Sequence, residues 1–158
     1  MTVRDRKKQL INEIVMNDDV AKGGMKLMRS VALIILISRI VLALYEAIYL
    51  SAVGAKTEVL SYVFLALGII GCYMIFDGNR GICHLLFFAS VIRVLYHLTT
   101  VLPILPSNAG GVIFTVINLT VLLTQAVLSN VAAINKKCVA YSNAMQKINL
   151  RLQGEIKK

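Results

Sequence analysis

The chain has no tryptophan, only 2 prolines, 3 cysteines and 2 histidines in 158 residues, and 8 acidic residues against 17 basic ones. Each shortage excludes something. His84 and His97 are too few and too far apart for a metal site, so no metal ligands are assigned. Cys72, Cys83 and Cys138 form no CxxC pair, and packing is the role expected of them. There is no phosphate-cradling glycine loop, no HExxH, and no serine with a histidine and an acid at recognisable spacing. No catalytic residue is assigned, no cofactor is expected, and a membrane enzyme lacks supporting residues. Arg93-x-x-x-His97 is too short a pattern to carry weight.

Apolar sequence is what the chain has in quantity, with 58% hydrophobic residues and a mean hydropathy of +0.74. Four apolar runs, Ser30–Val53, Val59–Phe76, Ile82–Val101 and Val112–Asn135, approach or exceed the roughly 20 helical residues that span a bilayer core. Turn chemistry separates them at Gly54–Thr57, Asp77–Gly81 and Pro103–Gly111. A chain this short has nothing left to cover four apolar helices, so lipid must do so. The fold class expected is an all-α membrane protein, four transmembrane helices in one bundle with amphipathic cytoplasmic helices at both ends. The whole chain reads as one domain, divided into residues 1–28, 30–135 and 136–158.

Basic residues set the orientation. Arg4, Arg6, Lys7, Lys8, Lys22, Lys26 and Arg29 precede the first span, and Lys136, Lys137, Lys147, Arg151, Lys157 and Lys158 follow the last. Arg80 joins them from the middle turn, whereas the opposite side has Lys56. That asymmetry places both termini in the cytoplasm of a plasma or inner membrane. The basic excess then speaks to topology and to anionic lipid headgroups at the cytoplasmic face. Nucleic acid is not expected as a partner, because the basic residues hug span ends without interleaved aromatics. The first apolar run is too long for a signal-peptide core and follows a polar region, so no cleavable signal is expected.

The flanks are expected to be helical. Val3, Leu10, Ile11, Ile14 and Val15 stripe a charged helix. Asn17-Asp18-Asp19 offers a cap for a second short helix, and Gly23-Gly24 loosens the chain before the first span. No glycine or proline interrupts Val112 to Gln153, and Tyr141, Met145, Ile148 and Leu152 continue a helical stripe. The fourth span is therefore expected to run on as one helix of about 60 Å, stopping at Gly154.

Charge inside the apolar runs marks the candidate site. An ionised residue at mid-bilayer depth costs roughly 2.5–3.5 kcal/mol on insertion scales. Arg39 and Glu46 share one face of the first span, seven residues apart, as do Asn118 and Gln125 on the fourth. At about 1.5 Å per residue, Arg39 matches Gln125 in depth and Glu46 matches Asn118. Arg93 and His97 on the third span, with Tyr45 and Tyr96, fall near the same level. The second span is uncharged and offers Gly68, Gly71 and Cys72, a small-residue face for close packing. Glu46 is expected to pair with Arg39, Arg93 or both, with Gln125 able to receive a spare arginine. Leu44-Tyr45-Glu46 echoes Leu95-Tyr96-His97, too briefly to establish a duplication.

Two functions fit. The first is a small integral membrane protein acting as an assembly or accessory subunit, as a homo-oligomer or with a membrane-protein partner. The second is a transporter or channel protomer that binds or passes an anionic solute or lipid headgroup at the Arg39/Arg93 network. A dry, satisfied network favours the first and a wet cavity the second.

Overall fold

The computed structural model describes residues 2–54, 59–105 and 109–156. Lys56 and Ser107, expected on the far side from the termini, lie outside them. Helices account for every regular element, and no strand occurs among the described residues. The chain runs α1 (Val3–Ile14), α2 (Asp19–Ala52), α3 (Val59–Phe76), α4 (Arg80–Tyr96), α5 (Ala109–Ile134) and α6 (Lys136–Ile156). A π turn, His97–Val101, and a 3-10 turn, Leu102–Ile104, extend α4. Proline lacks the N–H that would continue the ladder, and Pro103 stands where the helix gives out. Three helices, Asp19–Ala52, Arg80–Val101 and Ala109–Ile134, are long and apolar enough to cross a membrane. Tyr62–Phe76 is a shorter apolar helix. Length and composition together suggest a membrane protein.

Helices α2 to α5 alternate in direction, and both chain ends gather beside the α3–α4 turn. This is the basal end of the bundle. Its turn is closed by Gly78, whose φ of +83° few other residues adopt. Lys7 reaches Asp77 there at 3.0 Å, and the Tyr141 hydroxyl donates to the Phe76 carbonyl at 3.0 Å. Arg6 bonds Glu155 at 2.7 Å, tying α1 to α6.

Local signals explain the helix starts. Thr2 and Asp5 form a capping box on α1, and the Asp18 carboxylate accepts from the backbone N–H groups of Val20 and Ala21 to start α2. The expected short second helix does not exist. α2 runs unbroken through Gly23-Gly24 to Ala52, about 51 Å at the usual rise. The glycines serve packing instead of loosening, since a Cβ at Gly24 would overlap the backbone carbonyl of Lys137 on α6.

The fourth apolar run also departs from expectation. It does not continue as one straight helix but divides at Asn135. The Asn135 N–H donates to the Val131 carbonyl at 3.0 Å, while its side-chain Oδ1 accepts from the Lys137 N–H at 2.9 Å. Asparagine thus ends one helix and caps the next, a competition with the helix ladder that its short polar side chain allows. Nor does Gly154 stop α6, which reaches Ile156 and carries Glu155 to Arg6. α6 lies against α1, the start of α2 and the α3–α4 turn. Tyr141, Met145, Ile148 and Leu152 are buried there with Leu10, Val15, Met25, Met28, Ile75 and Cys138. A smaller apolar cluster of Leu50, Leu105 and Phe114 closes the opposite end.

Candidate functional site

Helical spacing aims the intramembrane polar residues inward. On α2 the buried stripe is Ile35, Arg39, Leu42, Glu46 and Leu50. On α4 it includes Cys83, Leu86, Ser90 and Arg93, and His97 in the π turn prolongs it. On α5 it includes Phe114, Asn118, Leu122, Gln125 and Ser129. Each polar group replaces an apolar one at the period that faces the helix inward. Arg39, Glu46, Arg93 and His97 retain 4%, 7%, 6% and 3% exposure, too little for water to solvate the charges.

The strongest contact joins α2 to α4. Arg93 Nη2 donates to Glu46 Oε2 at 2.6 Å, and the Arg93 guanidinium lies 5.9 Å from the centre of the Phe64 ring. Charge-assisted bonds are short and about twice as strong as neutral ones, and the ring face adds cation–π attraction. Arg39 does not share this carboxylate. It stands two turns away, about 10 Å along α2, and donates to the Phe64 carbonyl at 3.2 Å and to Ser90 Oγ at 3.5 Å. Its Nε has no partner among the described residues.

Gln125 lies beside Arg39 in depth but bonds its neighbour. Gln125 Nε2 donates to Ser38 Oγ at 2.8 Å, and Ser38 donates onward to the Ile35 carbonyl at 2.9 Å. Asn118 turns back along its own helix, its Nδ2 donating to the Phe114 carbonyl at 3.2 Å. Asn118 Oδ1, Gln125 Oε1, His97 Nε2 and Ser129 Oγ are buried without hydrogen-bond partners.

Aromatic packing closes the outer end of the seam. Tyr45 and Tyr49 stack on Phe114 with centroids 5.5 Å and 4.3 Å apart, and His97 lies 5.9 Å from the same ring. Tyr96, half-buried, lines with Glu46, Arg93 and His97 a cavity of about 20 Å³. That is room for about one water molecule.

Gly68 does not make room for a helix backbone. A Cβ there would come within 2.5 Å of Arg39 Cδ, so the glycine is the slot through which the arginine side chain passes. Gly71 makes similar room for Leu86.

Sequence reasoning missed Ser38, Ser90, Phe64 and Phe114. Serine is too common in membrane helices to stand out alone. Ser90 was recoverable, being three residues before Arg93 on the same face. Among the described residues no group of three His, Cys, Asp or Glu side chains is placed to hold a metal.

No family model, curated protein or solved structure matches this chain. The chemistry must therefore be read from the seam itself. Its interhelical contacts centre on α2, which reaches α3 through Arg39 and Phe64, α4 through Arg39–Ser90 and Glu46–Arg93, and α5 through Ser38–Gln125. Such an arrangement can fix the register of four helices.

Proposed function

We propose that the chain crosses the membrane four times with both termini in the cytoplasm and works as an assembly or accessory subunit, either as a homo-oligomer or with a membrane-protein partner. The observation that carries this reading is the closed packing of the charged seam. Beside Glu46, Arg93 and His97 the free space is about 20 Å³, less than any solute larger than water requires. Arg39 is wedged against Gly68. A seam so filled positions helices. Interhelical hydrogen bonds in lipid are worth about 0.6 kcal/mol on average and up to about 1.7, enough collectively to select one packing of apolar helices.

One observation favours the second reading, an anion-binding transport protomer. Arg39 is 4% exposed and meets a carbonyl and a hydroxyl, with no carboxylate contact among the described residues. An unneutralised guanidinium attracts an anion. Reconstitution separates the two. The purified chain in phospholipid vesicles should pass no chloride, phosphate or carboxylate above empty vesicles, and its detergent-solubilised mass should exceed one protomer or include a copurified membrane protein. Anion flux that disappears in Arg39→Gln, from a protein of monomeric mass, would overturn the subunit reading.

A further inference from the structure

The polar seam is not the only place where hydrogen-bonding groups gather. At the basal end a cavity of about 510 Å³ lies between the α3–α4 turn and α6. One wall is a row on α6: Ser142, Gln146, Asn149 and Gln153. Their spacing of four, three and four residues puts them on one stripe of the helix. Beyond the two lysines that open that helix, its charged residues, Lys147, Arg151 and Glu155, fall four apart on another. In a chain with 25 charged residues (17 basic and 8 acidic), a wholly uncharged amide and hydroxyl row is a selective composition. The facing wall supplies Asn79 and Arg80. Asn79 makes no side-chain bond to the helix it caps.

Charge completes the description. Asp77 also lines the cavity, but Lys7 neutralises it from α1 at 3.0 Å. Arg80 has no carboxylate or hydrogen-bond partner among the described residues, so the cavity keeps one unmatched positive charge. Amide side chains both donate and accept, which suits hydroxyl groups, and a guanidinium suits a phosphate oxygen. The volume falls in the range of small-molecule sites, about 300–1,000 Å³.

We propose that this cavity binds a phosphate ester that carries free hydroxyls, with Arg80 on the phosphate and the Gln146/Asn149 row on the hydroxyls. Two sources present that chemistry: the headgroup of a glycerol- or inositol-type lipid, and a free polyol phosphate. The lipid source rests on the membrane-spanning reading above, because α3 ends and α4 begins at this cavity, where headgroups would lie.

The test uses the full chain in phosphatidylcholine nanodiscs doped with phosphatidylglycerol, phosphatidylinositol or phosphatidylserine, with retained lipid counted by native mass spectrometry. Glycerol 3-phosphate is titrated separately. The lipid source predicts retention of the hydroxylated lipids over phosphatidylcholine. Arg80→Gln should lower it on the order of tenfold, the size of a lost charge-assisted bond, and Gln146→Leu should lower it less. The free source predicts thermal protection by glycerol 3-phosphate that Arg80→Gln removes. Phosphatidylserine retained as well as phosphatidylinositol would overturn the role of the hydroxyl row. Retention or protection indifferent to both variants, or absent for every probe, would overturn the site. A chain that stays soluble without detergent would defeat the membrane reading instead, and the glycerol 3-phosphate arm would still decide the cavity.

Discussion

The basal end and the seam are built on opposite principles. At the basal end, carboxylates and cations meet at the surface, as in Arg6–Glu155, Lys7–Asp77 and Arg151–Glu13, and the interior is apolar. In the seam the charges are inside, and Leu44, Ile48, Phe88, Leu95 and Val116 point outward. Solvent explains the inversion. Water drives apolar groups together, so α1 and α6 can be held to the bundle by burial. Lipid tails are as apolar as leucine, so in the membrane reading proposed above the spans gain little by hiding leucines and are joined, among the described residues, by hydrogen bonds, small residues and the Glu46–Arg93 ion pair. The molecule changes its adhesive where it changes its surroundings.

The comparison breaks hardest at Glu46. Removing one partner of a buried pair costs about 3–5 kcal/mol, whereas replacing both with apolar groups is often neutral. Glu46→Gln should sharply lower the folded fraction in detergent, measured by gel filtration after heating. Glu46→Leu with Arg93→Met should recover most of the loss. A double variant as unstable as the single one would show that the pair does not hold the seam.

A second substitution tests the apolar region by the opposite means. Gly24→Val forces a side chain into the Lys137 carbonyl, and overpacking typically costs about 1–3 kcal/mol. α6 should lift from α2, so Cys138, with 0% exposure, should react faster with maleimide. The seam, held by different contacts, should keep its stability. An unchanged Cys138 rate would mean that α6 stays seated on α2 and that Gly24 does not set their contact.

Acid should give the smallest effect. The hydrogen bond from Arg6 holds the Glu155 carboxyl below its ordinary value. A depressed folded pKa contributes stability above the unfolded value, near 4.3, and loses it as pH falls through the folded value. Hydrogen-exchange protection across Val3–Ile14, corrected for the slower intrinsic exchange in acid, should therefore fall modestly as pH drops, and Glu155→Gln should remove that response. The pair lies at the surface, its side chains 35% and 46% exposed, so global unfolding should hardly move.

The apolar runs and the polar positions within them were legible because period and depth are written directly in sequence. Arg39, Glu46, Arg93, His97, Asn118 and Gln125 could all be singled out, and their common inward stripe follows from spacing alone. Pairing was not legible. Depth put Gln125 beside Arg39, yet the amide reaches Ser38, one residue away, because side-chain reach decides between neighbours at equal height. The ends of helices were legible where turn residues or a capping carboxylate marked them, and the run Val59–Phe76 is α3 residue for residue. Asp18 announced α2, but Asn135 sits inside a run with no glycine or proline and breaks it with its own side chain. Gly24 and Gly68 read as flexible or small, and only the structure says which atom each admits.

Glu46 and Arg93 are 47 positions apart, and Arg39 and Ser90 are 51 apart. A ribosome adds about 5–20 residues per second, so Glu46 is made about 2–10 s before its arginine. During that interval α2 carries an unmatched cation and an unmatched anion. It is therefore the least able of the helices to enter lipid alone. In the four-span arrangement proposed above, its release from the insertion machinery is expected to wait until α4 has been synthesised, so that α2, α3 and α4 enter the bilayer as one unit.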